Sequence, residues 1–284
     1  MGRLRALGLL VAATCTWGAT FIVVKQGLAA SSPMTFLALR FLIAAAVLLP
    51  LLRARGVRMP RSAWPFACGI ALFAGYACQT AGLVTTTPAR SAFITALSVV
   101  LVPLLEPAFR INRLSWRALA GASVSIVGLA VLLRPEVTPP TVGDWLTLGC
   151  AVSFAFHGVL LQGAVRRAPP ATVNATQVLV TTGLALPAAA ATGWQVTFTA
   201  WTVAALAITG ILATVAAFWA MAEAQRELSA AETALVLAFE PVVAAVVSVL
   251  AGADVVTSSL LAGGAFVVLG VVVATVRPPS HAVS

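Results

Sequence analysis

Long apolar runs alternate with short polar breaks along this chain, and the runs have the length of membrane-spanning helices. An α-helix crosses a bilayer with about 20 apolar residues. Such runs occupy residues 7–28, 33–52, 64–84, 87–109, 117–133, 144–164, 170–190, 201–221, 229–250 and 257–276. The pattern predicts ten transmembrane helices in an all-α integral membrane bundle. The breaks are too short to hold a soluble domain, and the alternating strands of an outer-membrane barrel do not occur. Arg3 and Arg5 ahead of an apolar run mimic a secretory signal. The run continues to Val24 with no polar mature chain behind it, so a retained first helix is expected.

The same landmarks occur twice. A displacement of 137 residues lays Pro33, Arg40, Pro50 and Trp64 onto Pro170, Gln177, Pro187 and Trp201, and at 138 Pro103 meets Pro241. Gly121 and Gly128 then meet Gly263 and Gly270, and each copy closes on Arg-Pro, at Arg134 and Arg277. A repeat this long exceeds any solenoid unit and divides the chain into halves at 1–137 and 138–284. Five spans per half is an odd number, so the second half enters the membrane from the opposite side. Inverted repeats of that kind recur in secondary transporters, with the site at the midplane between them. Channels use them too.

Composition agrees: 61% of residues are hydrophobic and 9% charged, against roughly a quarter charged in soluble domains. With the N-terminus inside, Arg3, Arg5, Arg53, Arg55, Arg58, Arg61, Arg110, Arg113, Arg117, Arg166, Arg167, Arg226 and Arg277 fall on one side. Only Lys25, Arg90 and Arg134 fall on the other, and Arg40 lies within the second span. The positive-inside rule then predicts an inner-membrane protein with both termini cytoplasmic. The net charge of +9 follows from this bias. The arginines sit on separate short loops, so the expected partner is the lipid bilayer and not nucleic acid, for a monomer or homodimer.

Cys15, Cys68, Cys78 and Cys150 lie in apolar runs without metal-ligand spacing, and no phosphate-binding loop, nucleophile elbow or metalloprotease element is present. No cofactor, no metal and no enzyme activity are expected. An intramembrane enzyme acting on lipid would need clustered catalytic groups at one interface, and only scattered ones occur. A passive channel would be told apart by its flux and its lack of counterflow.

The stretch from Cys15 through Trp17-Gly18 to Thr20-Phe21, followed by Pro33 to Arg40-Phe41, resembles the opening of the EamA half-domain of the drug/metabolite transporter superfamily. So do Thr87-Pro88-Ala89-Arg90-Ser91 running on to Pro103, and Phe239-Glu240-Pro241 in the second half. This resemblance covers nearly the whole chain. It implies ten helices, a cavity lined mainly by helices 1, 3, 4, 6, 8 and 9, and export of small metabolites. YddG-like amino-acid exporters belong to this branch, as do nucleotide-sugar and triose-phosphate carriers.

Candidate site residues follow from depth. Glu240 lies roughly 16 Å into its span and Arg40 roughly 10 Å into its own, so their depths nearly coincide. A carboxylate there is costly and usually functional; Glu240 either carries a coupling proton or acts as a structural partner for Arg40 or a neighbouring helix. Arg40 is either structural or a fork for a solute carboxylate. Trp17 and His157 sit at similar depths on the symmetry-related spans 1 and 6, where they line a cavity or pack, and Thr20 is the counterpart of His157. Tyr76, Gln79 and Thr80 share the outer half of span 3. Ser91, Thr95 and Ser98 recur on one face of span 4, either as a polar stripe or bonded back to their own helix. Trp219 and Phe218 face lipid or a gate. The glycines of spans 3, 5 and 10 permit close packing. Glu106 and Asp144 are expected at helix ends in the interface, where charge is tolerated.

The expected function is a secondary transporter exporting small metabolites, foremost neutral amino acids including aromatic ones, by alternating access. The alternative is a proton-coupled exporter of lipophilic cationic drugs. Carriers of that kind in the small multidrug-resistance branch use an acidic residue in the first helix, where this chain has only Thr14, Thr16, Thr20 and Lys25. Glu240 would then have to supply the carboxylate.

Overall fold

The computed structural model describes residues 2–54, 56, 59–134, 138–250, 252 and 255–275. Arg55, Arg58, Arg277 and the side chains of Phe21 and Lys25 lie outside the described residues. Every regular element among the described residues is helical, and the β contact they make is an isolated bridge between Ser31 and Val196. The helices are α1 (Arg3–Leu28), α2 (Pro33–Ala54), α3 (Trp64–Gly82), α4 (Pro88–Ala96), α5 (Ser98–Ala108), α6 (Trp116–Leu133) and α7 (Val142–Val165). They continue as α8 (Pro170–Thr192), α9 (Ala200–Gly210), a π-helical turn (Ile211–Ala216), α10 (Ala217–Ala224), α11 (Ala230–Leu237), α12 (Glu240–Leu250) and α13 (Ser258–Thr275). Helix therefore occupies all ten runs read from the sequence. Among the described residues, length and composition single out seven segments as able to cross a bilayer: Pro33–Ala54, Arg90–Ala108, Trp116–Leu133, Val142–Val165, Pro170–Thr192, Ala200–Ala224 and Ala230–Leu250.

Local chemistry sets the helix starts. Thr87, Ser115, Thr141, Thr199 and Ser229 each accept a hydrogen bond from the amide three residues on, satisfying a donor the helix leaves orphaned. At Thr141–Asp144 and Ser229–Glu232 the acid returns the bond to the cap amide, completing capping boxes.

Three of the ten runs are not continuous α-helix. Span 4 breaks at Leu97, between α4 and α5, and span 9 at Ala238 and Phe239, between α11 and α12. Proline accounts for the break in span 9. Pro241 has no amide to offer the carbonyl of Leu237, and its ring crowds that carbonyl. Pro103 acts likewise on Val99, just past the first break. Span 8 carries the π-helical turn, in which Thr214 Oγ1 also reaches back to the carbonyl of Thr209 at 2.9 Å.

The symmetry-related spans 5 and 10 pack backbone to backbone. A Cβ placed on Gly128 would lie 2.8 Å from the carbonyl oxygen of Gly263, and one on Gly263 would lie 2.6 Å from that of Gly128. Only glycine fits such a crossing. The core on the other side of the bundle is apolar and centred on Phe41, Leu10, Leu72 and Leu161.

Candidate functional site

Helices from both halves converge on the π-helical turn of span 8. A π turn inserts one residue into the hydrogen-bond ladder and leaves carbonyl groups free to accept other donors. The carbonyl oxygen of Ala213 accepts from Trp17 Nε1 of α1 at 2.7 Å and, more weakly, from Arg40 Nη2 of α2 at 3.5 Å. Arg40 also donates through Nε to Thr214 Oγ1 at 2.8 Å and through Nη2 to the Tyr76 hydroxyl of α3 at 3.3 Å. Its guanidinium carbon sits 5.1 Å from the centre of the Tyr76 ring and 5.7 Å from that of Phe41, within cation–π range. The side chain is buried, and its partners are all uncharged.

The second half contributes a directed chain of amides to the same turn. Asn174 Nδ2 donates to the carbonyl of Val215 at 3.0 Å, so Asn174 Oδ1 is left to accept from Gln177 Nε2 at 3.1 Å. Gln177 Oε1 then accepts from His157 Nε2 at 2.8 Å. A backbone carbonyl can only accept, so the chain orients both amides and places a proton on His157 Nε2. Phe218 packs between the two groups, 5.1 Å from the Trp17 ring and 5.8 Å from His157. Gln177, the repeat counterpart of Arg40, thus serves a different residue: Arg40 orders Tyr76, and Gln177 orders His157.

Glu240 opens α12 at the break in span 9 and is half-buried. It forms no ion pair with Arg40 within 4 Å among the described residues. Thr95 lies at the end of α4, with Oγ1 3.8 Å from Cys150 Sγ. Ser91 is buried, and Ser98 half-buried at the break in span 4. Gln79 is half-buried with no side-chain hydrogen bond among the described residues, whereas Thr80 bonds back to the carbonyl of Tyr76 at 2.7 Å. Thr20 bonds back to Thr16 at 2.8 Å. Trp219 is 40% exposed and stands outside the cluster its neighbour Phe218 completes.

Residues that the sequence left unremarked carry much of this geometry. Asn174 and Thr214 looked like ordinary helix positions, and Ala213 contributes only its backbone. Glu106 also departs from expectation. It is 1% exposed, accepting from Asn112 Nδ2 at 2.9 Å and from the amide of Ala231 at 3.1 Å. Its carboxylate caps α11 from inside the bundle, beside a cavity of about 610 Å³ that Gln162, Arg166 and Glu232 also line. Asp144 is buried as well. Among the described residues no group of His, Cys, Asp and Glu could hold a metal ion.

Comparison with known proteins accounts for the duplicated architecture. The EamA-like transporter family model matches twice, over residues 4–134 and 141–276. An uncharacterized transporter of Archaeoglobus fulgidus is 30% identical over 261 residues, spanning 92% of this chain and 82% of that protein. A crystal structure superposes with a TM-score of 0.85 at 25% identity, over 96% of this chain and 98% of that one. The chain belongs to the EamA-like transporter family and is a multi-pass membrane transporter.

Proposed function

We propose that the protein is an inner-membrane secondary carrier that exports small metabolites by alternating access, with neutral amino acids, aromatic ones included, as its main solutes. Ten helices would cross the membrane as two inverted five-helix repeats with both termini cytoplasmic. The presence of both Arg40 and Glu240 in the midsection of the bundle carries this proposal. Arg40 is bonded to the π turn of span 8 and Glu240 opens α12 at the break in span 9, and the two form no ion pair among the described residues. Buried charge without a partner is costly, and a zwitterion brings both complements at once. Its carboxylate suits the guanidinium fork and its ammonium suits Glu240. Trp17, Tyr76, Phe154 and Phe218 offer an aromatic wall for the side chain, with Tyr76 and Phe154 edge to face at 5.5 Å. A solute with net charge would leave one group uncompensated, at a cost of several kcal/mol.

A counterflow screen of purified protein in liposomes tests this. Phenylalanine, methionine or threonine should drive counterflow better than lipophilic cations or sugar phosphates. Glu240 is the one observation favouring the cationic-drug reading, and the nearby Arg40 opposes a cation there. Transport of a quaternary ammonium dye with none of these amino acids would establish that alternative.

A further inference from the structure

Two ion pairs join corresponding spans of the two halves, with their charges exchanged. At one end of the bundle Arg90, the third residue of α4, meets Asp144, the third residue of α7, with Nε 3.1 Å from Oδ1. At the other end Glu232, the third residue of α11, meets Arg3, the first residue of α1, with Nη2 2.7 Å from Oε1 and Nη1 3.4 Å from Oε2. Each pair joins the start of a broken span, 4 or 9, to the start of the span that faces it, 6 or 1. Span 4 itself shows that the ends are opposite. Arg90 lies at its beginning, while Glu106 at its far end receives the amide of Ala231, next to Glu232. The sixteen residues between them rise about 24 Å.

We propose that Arg90–Asp144 and Arg3–Glu232 are the latches of the two gates, each holding its own end of the bundle shut and parting when that end opens. This rests on the carrier function proposed above. A carrier must close one end before opening the other, and an inverted repeat supplies one such contact to each end by construction. Both pairs join elements that span no common loop, so each is broken by movement of span 4 or 9 against its partner helix. Both acids keep further bonds, Glu232 from the amide of Ser229 at 2.9 Å. Asp144 is also held by Thr86 Oγ1 at 2.7 Å and by the amide of Thr141 at 2.6 Å, and Arg90 donates to the Thr138 hydroxyl and to its carbonyl at 3.0 Å. The side chains of Arg90 and Asp144 are 14% and 7% exposed, against 32% and 14% for Arg3 and Glu232. The latch at the Arg3 end is the more solvated.

The arginines are the residues to change, because Asp144 and Glu232 also complete capping boxes on which folding draws. In a full-length version with Cys15, Cys68, Cys78 and Cys150 replaced, a single cysteine at Ser98 reports access to the midpoint of span 4. Labelling with a membrane-impermeant maleimide is measured from each face of sealed vesicles, without solute. Arg90→Gln should raise labelling from the Arg90 face about fivefold, the population change matching about 1 kcal/mol. Arg3→Gln should raise it from the opposite face, and Arg90→Lys should behave like the parent. Shifts toward the same face, or no shift in either variant, would overturn the latch assignment. Absence of any transported solute would sink the carrier proposal while leaving this readout intact.

Discussion

Arg40 Nε and Thr214 Oγ1 lie 2.8 Å apart, and that bond fastens α2 to the π-helical turn of span 8. Thr214 passes the bond on to the carbonyl of Thr209, so one hydroxyl both stabilises the turn and orients the guanidinium. Replacing Thr214 by valine keeps the shape and removes the acceptor. Hydrogen bonds between helices in membranes contribute about 0.6 kcal/mol on average and up to about 1.7 kcal/mol. Thr214→Val should therefore lower the melting temperature in detergent by a few degrees and weaken neutral amino-acid counterflow. An unchanged melting curve with unchanged counterflow would show that the turn does not depend on this bond.

Glu240 forms no ion pair with Arg40 among the described residues, which leaves it available to exchange a proton during transport. Glu240→Gln should abolish transport driven by a pH gradient while exchange of labelled for unlabelled solute continues. Equal loss of both activities, in a protein that elutes as aggregate, would assign Glu240 a structural role instead.

The amide of Gln79 has no partner among the described residues, one turn beyond Tyr76 in the same helix. An uncharged group in that position suits a zwitterionic solute. Gln79→Leu should weaken neutral amino-acid binding about threefold to tenfold, the range of one hydrogen bond, without lowering the melting temperature. Wild-type affinity in that variant would remove Gln79 from the site.

Orientation is open to direct measurement. Gly56 and Gly193 have φ of 61° and 84°, where a cysteine would be strained, so their neighbours Met59 and Trp194, 54% and 48% exposed, are better positions. Single cysteines there should be labelled from opposite faces of intact cells. Labelling of both from outside would contradict the inverted-repeat topology.

The apolar runs were enough to locate the helical segments among the described residues, because a segment that must lie in hydrocarbon has to be apolar throughout and bond its own backbone. Pro241 announced the break in span 9 for the same local reason: a missing amide is a property of the residue alone. The duplicated prolines, glycines and terminal Arg-Pro pairs exposed the two halves without any coordinates. Other features had no local cause to read. The segment Ile211–Ala216 looks like any apolar helix, and the partners of its π turn, Trp17, Arg40 and Asn174, arrive from far along the chain. Thr20 looked like a cavity hydroxyl and bonds its own helix, while Glu106 looked interfacial and is buried beneath α11. Composition and the repeated landmarks thus determined which segments are helical and that the chain is duplicated. Only tertiary packing decided which polar groups meet, since a hydroxyl or carboxylate takes whatever partner the neighbouring helices bring within 3 Å, and that choice is made by shape at a distance.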